Sequence, residues 1–183
     1  MRKIVYYVAT SIDGYIARRD HSIEGFVGDG DAVDQYLNDL QIFDTVIMGR
    51  RTYEFGYNYG LVPGEPPYNH MKNYIFSDTL RFENNHPNVI VCPRDLKLVQ
   101  QLKIEEGTDI YLCGGGDFAG WLLDHEQIDT LKIKLNPLIL GDGIRLFGNS
   151  TKNCKMELVN STAYNKGIHI MTYDVLYHKD YTV

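Results

Sequence analysis

The chain has 183 residues, 44% of them hydrophobic and 23% charged, with a formal net charge of −6. That balance excludes a disordered polymer, and its acidity argues against general binding to nucleic acid or an anionic membrane surface, both of which favour basic faces. No stretch has the length of a membrane-spanning helix and the N-terminus carries no secretory pattern, so the expectation is one cytoplasmic domain over residues 1–183.

Ile4-Val5-Tyr6-Tyr7-Val8-Ala9 is short, continuous and apolar, and predicts a central strand buried on both faces. Thr10 to Gly14 turn the chain, Tyr15-Ile16-Ala17 reads as a short extended piece, and residues 18–30 as a surface loop beside a cleft. A helix starts at Gly30 or Asp31, with Val33, Tyr36, Leu37 and Leu40 spaced to form its apolar face. Thr45-Val46-Ile47-Met48 is the next buried strand and hands over at Gly49 to a helix. Residues 56–72 hold three prolines and three glycines and predict an extended loop. Strands follow at 73–76 and 89–92, and Pro93 suits the first position of a helix carrying Leu96, Val99 and Leu102.

Asp109 to Cys113 predicts a fifth strand, running through Gly114-Gly115-Gly116 into a helix with Phe118, Trp121 and Leu122 on its core face. Leu131, Ile133 and Leu135 then alternate with Lys132 and Lys134, the period of a strand with one solvated face. A loop over 137–143 leads to two long strands, near 155–164 and 167–177, joined through Asn165-Lys166 as a hairpin. Alternating strands and helices imply parallel pairing, and the hairpin adds antiparallel strands. The expected fold is a three-layer α/β sandwich around a mixed, mostly parallel sheet.

Ligands in such sheets sit beyond the carboxyl ends of the parallel strands, which here means the turns after Ala9, Met48 and Cys113. The glycine turn removes β-carbons, and the helix behind it offers free N–H donors; Asp117 falls in its first turn. The same glycines also serve simply to turn a strand sharply into a helix. Arg50 and Arg51 with Thr52 could clamp phosphate or form a solvated first turn. Ser77-Asp78 reads as ordinary turn chemistry or as a phosphate contact. Asp13, beside Gly14, and Asp34 on the first helix are candidate carboxylates at the cleft mouth. The six histidines, His178 among them, are scattered without a pair at i, i+4, so no metal site is expected. Cys92, Cys113 and Cys154 have no C-x-x-C spacing and read as free thiols.

The segment from Val46 to Glu54 resembles the strand–helix junction of dihydrofolate reductases, and Ile110 to Gly116 is similar to their glycine turn. Ala9 to Gly14, taken with Pro137 to Gly143 and Leu146-Phe147, resembles more closely the reductase domain of bacterial riboflavin biosynthesis, which shares that fold. The ordered set covers nearly the whole chain. The resemblance implies an NADPH-dependent reductase of the 5-amino-6-(5-phosphoribosylamino)uracil type, with a pterin reductase or a non-catalytic dinucleotide-binding protein as alternatives.

It further implies that Gly49, Arg50, Arg51 and Thr52 hold adenosine phosphates and that Ser77 faces the 2′-phosphate. Gly114, Gly115, Gly116 and Asp117 would pass beneath pyrophosphate and nicotinamide, with a cis peptide between Gly114 and Gly115. Ala9 would line the nicotinamide pocket. Asp13, Gly14, Gly141 and Gly143 would lie on the side of a small-molecule substrate; beside the resemblance, Asp34 is a candidate on the same side, and Asp13, or water held by it, is the candidate proton relay. A homodimer is implied by analogy.

Overall fold

The computed structural model describes residues 1–177; His178 lies outside them. Ten strands and four α-helices follow in the order β1 Ile4–Thr10, β2 Tyr15–Ala17, α1 Asp31–Leu40, β3 Thr45–Gly49, α2 Arg50–Phe55, β4 Lys72–Phe76, β5 Val89–Cys92, α3 Leu96–Ile104, β6 Ile110–Gly114, α4 Gly116–Asp124, β7 Thr130–Leu135, β8 Ile144–Arg145, β9 Lys155–Ala163 and β10 His169–Leu176. Eight strands form one sheet in the order β5-β4-β3-β6-β1-β7-β10-β9. Every pairing from β5 across to β7 is parallel, and β10 runs antiparallel to both β7 and β9. The fold is thus the mixed, mostly parallel sandwich expected from the order of strands and helices.

β1 sits between β6 and β7, with Ile4 opposite Ile110 and Val5 opposite Thr130. Its alternate side chains enter two separate cores, as a strand covered on both faces requires. Ile4 and Tyr6 pack with Val99 and Leu102 of α3 and Phe118 and Leu122 of α4. Val5 and Tyr7 pack on the other face with Ala32 and Leu40 of α1 and Tyr53 of α2. The cysteines are free: Cys92 is buried and its thiol is pushed up to about 12 by burial, while Cys113 and Cys154 are half-buried.

Four expectations need correction. The apolar face of α1 is Ala32, Tyr36 and Leu40, whereas Leu37 is 51% exposed. The small methyl of Ala32 packs inward in place of a larger neighbour. α3 begins later than Pro93, because the Asp95 carboxylate accepts the Lys97 N–H at 2.9 Å and caps the helix there. A short antiparallel pair, β2 with β8, folds the 137–149 segment back over the first turn.

The fourth correction matters most for the site. The lysines of β7 do not form a solvated face: Lys132 is drawn into an ion pair with Asp39 at 2.6 Å, and Lys134 is only 8% exposed. β7 lies between β1 and β10, and the alternate face that would be wet at a sheet edge is covered here by α1 and residues 18–30.

Candidate active site

A cleft of about 960 Å³ opens over the carboxyl ends of β1, β3 and β6. Its glycine-rich end is built from backbone. Met48 of β3 pairs with Gly114 of β6, which brings the turn at Gly49 against the turn at Gly115. A β-carbon on Gly49 would sit 3.3 Å from Phe118 Cβ and 4.0 Å from Gly115 N. The peptide between Gly114 and Gly115 is cis, as the resemblance implies, and Gly114 has φ 131°.

The three glycines do different work. Gly114 supplies a left-handed backbone. A β-carbon on Gly115 would meet Thr52 Oγ1 at 3.0 Å, on the cleft side. A β-carbon on Gly116 would overlap the Arg145 carbonyl oxygen, so packing against the end of β8 already requires a glycine here. No side chain caps α4, whose first residues Gly116 and Asp117 line the cleft. That leaves an open helix start of the kind that suits phosphate.

Ala9, Gly49, Arg50, Arg51, Thr52, Ser77, Gly115, Gly116, Asp117 and Gly143 all line the cleft; Gly114 lies buried beside them. Arg50 is held loosely by Glu54 at 3.7 Å and Arg51 is exposed. Ser77 Oγ accepts the N–H groups of Thr79 and Leu80 at 3.2 and 2.9 Å, the turn chemistry the sequence suggests. Its oxygen organises the turn and its own O–H stays available to donate.

The remaining carboxylates and glycines fall outside the cleft lining. Asp13 accepts the N–H of Leu140 at 3.1 Å and that of Gly141 at 2.7 Å. Hydrogen bonding by Ser11 first, and by these two amides, holds its carboxyl below the ordinary aspartate range. Asp13 is therefore the tether of the 138–143 loop, with Gly14 in the same turn, and a carboxylate so engaged is poorly placed to relay protons. Gly141 receives that tether. Asp34 is exposed on α1, and Asp31 accepts from Asn165 Nδ2 at 2.9 Å. The α1 residue that reaches the cleft is Tyr36.

The opposite wall is made of side chains that carry no local motif. Tyr7, Tyr36, Tyr68, Tyr111, Cys113 and Lys134 converge there from β1, α1, the loop before β4, β6 and β7. The hydroxyls of Tyr36 and Tyr111 are 2.6 Å apart, and that of Tyr68 is 3.4 Å from Cys113 Sγ. Burial raises the pKa of Tyr36, Tyr68 and Tyr111, so these phenols stay protonated and donate. Arg94 is the other residue that carries no signal in the sequence. It pairs with Asp117 at 2.7 Å and lies 5.8 Å from the ring centroids of both Phe118 and Trp121. The start of α3 at Asp95 rather than Pro93 leaves Arg94 outside the helix, next to the glycine turn, and the Asp95 cap is the feature that could have revealed it. Among the described residues no group of three or more His, Cys, Asp or Glu side chains could hold a metal ion, and no helix is long and apolar enough to cross a membrane.

A mixed sheet with this strand order, opening a glycine-floored cleft at the ends of β1, β3 and β6, is a dihydrofolate reductase-like fold. Residues 2–170 match the model of the RibD C-terminal domain, and the chain belongs to that family. The uncharacterized protein YwjB of Bacillus subtilis is 30% identical over 172 residues, spanning 92% of this chain and 96% of that protein. A protein of Shewanella sp. PV-4 assigned by name to riboflavin biosynthesis superposes with a TM-score of 0.80 at 20% identity, covering 96% of this chain and 99% of the other. The dihydrofolate reductase of Enterococcus faecalis, solved with NADP(H), superposes with a TM-score of 0.65 at 17% identity, over 94% and 96% of the two chains.

Proposed function

We propose that this protein is an NADPH-dependent reductase of a small heterocycle, of the 5-amino-6-(5-phosphoribosylamino)uracil reductase type. The observation that carries the reading is the junction of two bare turns, Gly49 and Gly115, at the open start of α4, with Arg50, Arg51 and Arg94 around it. A dinucleotide needs such a junction: a floor without β-carbons, oriented N–H donors and cations for phosphate. Membership of the RibD C-terminal domain family supports the substrate class.

When bound, NADPH would supply the hydride. The protein's part is to hold and orient. Gly115 and Gly116 would lie under the pyrophosphate, and Arg50, Arg51 and Thr52 would face the adenosine phosphates. Ser77 would donate its free O–H toward the 2′-phosphate. The methyl of Ala9 keeps the end of β1 narrow beside the nicotinamide position, and the tyrosine wall would orient the acceptor and exclude water. A pterin reductase is disfavoured because α1 offers Tyr36, not a carboxylate, to the cleft. The reading extends to a homodimer, with the exposed Leu158 and Val159 of β9 as the candidate contact, to be checked by sedimentation.

Trp121 stacks on Phe118 at 5.8 Å, and Phe118 lines the cleft, so intrinsic fluorescence reports on this end. NADPH is expected to quench it at concentrations at least about tenfold below NADH, the margin of one charge-assisted contact to the 2′-phosphate. Equal affinities would remove Ser77 and the arginines from that role. Consumption of NADPH with 5-amino-6-(5-phosphoribosylamino)uracil then decides between an enzyme and a binding protein.

A further inference from the structure

Three cations of the described chain are buried below a tenth of their surface: Arg2, Lys103 and Lys134. Arg2 is paired with Asp44, and Lys103 with Asp129 at 2.7 Å. Lys134 forms no ion pair among the described residues. Among the described residues its one side-chain hydrogen bond goes from Nζ to the Val27 carbonyl at 2.9 Å. A lysine ammonium carries three donors, so two remain to be satisfied, and Lys134 lines the cleft. Burial lowers its pKa, as expected of a cation removed from water without a countercharge.

Its surroundings share that polarity. Among the described residues the carboxylates that line the cleft are Asp78 and Asp117, next to Ser77 and Gly116, and Asp117 is already paired with Arg94. The phenols of Tyr7, Tyr36, Tyr68 and Tyr111 line the same cleft, and the pairing of β1 with β7 sets Lys132 beside Tyr7 and Lys134 beside Ala9. Tyr7 donates to Asp39, a carboxylate that also takes Lys132. The hydroxyls of Tyr36 and Tyr111 bond to each other, and Tyr68 with Cys113 extends the same donor network. This wall therefore offers N–H and O–H donors and no carboxylate acceptor.

We propose that Lys134 is a specificity-determining residue that donates to a carbonyl or oxyanion on the ring of the substrate, so that the cleft selects acceptor-rich rings and rejects donor-rich or cationic ones. This rests on the reductase reading for the place of the ring, beside Ala9, the neighbour of Lys134 across the β1–β7 pairing. It adds the chemistry of what the ring must present. A buried donor left unpaired is costly, so an acceptor that satisfies it gains, and an amino group placed against it loses twice.

The test uses two pyrimidines of similar size: barbiturate, an anionic trioxo ring, and 2,4-diaminopyrimidine. Each is titrated calorimetrically into the full chain, both ligand-free and with NADP⁺, for wild type, Lys134→Met and Lys134→Arg. Wild type is expected to bind barbiturate at least about tenfold more tightly than the diamine, the value of one charge-assisted hydrogen bond. Lys134→Met should erase the preference, Lys134→Arg should retain it, and NADPH affinity should be the same in all three. The ligand-free melting temperature of Lys134→Met should hold or rise, because an unpaired buried charge is gone. Equal affinity for the two rings, no binding of barbiturate, or a preference unchanged in Lys134→Met would overturn the proposal. A lower melting temperature with that preference intact would assign Lys134 to holding Val27 instead. Failure of NADPH to bind would sink the reductase reading separately, since the ring preference is also measured without a cofactor.

Discussion

The two ends of the cleft are built by opposite means. The glycine-rich end is made of backbone, from two turns that follow neighbouring parallel strands. The tyrosine–lysine end is made of side chains delivered by β1, α1, β6, β7 and the loop before β4. Backbone sites are harder to alter, because glycines such as Gly116 are fixed by packing against other backbone. Side-chain sites can be rewritten one residue at a time. The first end suits a ligand common to many relatives, and the second suits one that differs among them.

That contrast can be broken most directly at Gly116. Gly116→Ala would drive a methyl into the Arg145 carbonyl, and overpacking against backbone should cost about 3 kcal/mol or more in urea unfolding. A wild-type midpoint for this variant would mean that the glycine end is not fixed by packing. Gly115→Val is the sharper probe of the ligand, because its neighbour is the movable Thr52 side chain on the cleft side. We expect a folded protein whose NADPH affinity drops about a hundredfold, or roughly 2.7 kcal/mol. Retained affinity would take Gly115 out of the site.

At the other end, Tyr36→Phe removes one hydroxyl from the 2.6 Å pair with Tyr111. About 1 kcal/mol of stability should be lost, as for a typical hydrogen bond, with NADPH affinity unchanged within about twofold. A fall in NADPH affinity as large as that of Gly115→Val would show that the ends are not separable.

The smallest effect expected is at Asp13. Its carboxyl is held below its unfolded value, so its contribution is fully present above the ordinary aspartate range and is lost as pH falls through the lowered value. Amide exchange at Leu140 and Gly141, corrected for intrinsic rates, should therefore accelerate only in acid. Asp13→Asn should show the faster exchange already at neutral pH. Unchanged exchange in that variant would remove the tether.

The same contrast explains what can be read from the amino-acid sequence. The glycine end is continuous along the chain, so Gly49 to Thr52 and Gly114 to Asp117 are legible as strand-to-helix turns from their residues alone. The tyrosine–lysine end is not legible in this way, because it depends on which face of each strand is covered and by what. Lys134 illustrates the difficulty. Alternation along β7 correctly shows that Lys132 and Lys134 share a face, but only the position of β7 inside the sheet shows that α1 and residues 18–30 close over it. α1 misleads similarly: Leu37 is larger than Ala32 and fits the expected stripe, yet the helix rotates to pack the smaller residue. Asp13 reads as chemistry because the amides that hold it lie at 140 and 141, far along the chain.

The place of β1 has a consequence for how the protein is made. As the chain leaves the ribosome, this apolar strand emerges before either of its sheet neighbours exists. One flank is closed only when Ile110 and the residues after it appear, and the other only after Thr130. Until then Ile4 to Tyr7 present two open edges and two greasy faces, a nascent segment exposed to aggregation and a natural client for a chaperone. This early strand thus waits for partners far along the chain, and translation pauses placed before residue 110 should lower the yield of folded protein more than pauses placed after residue 135.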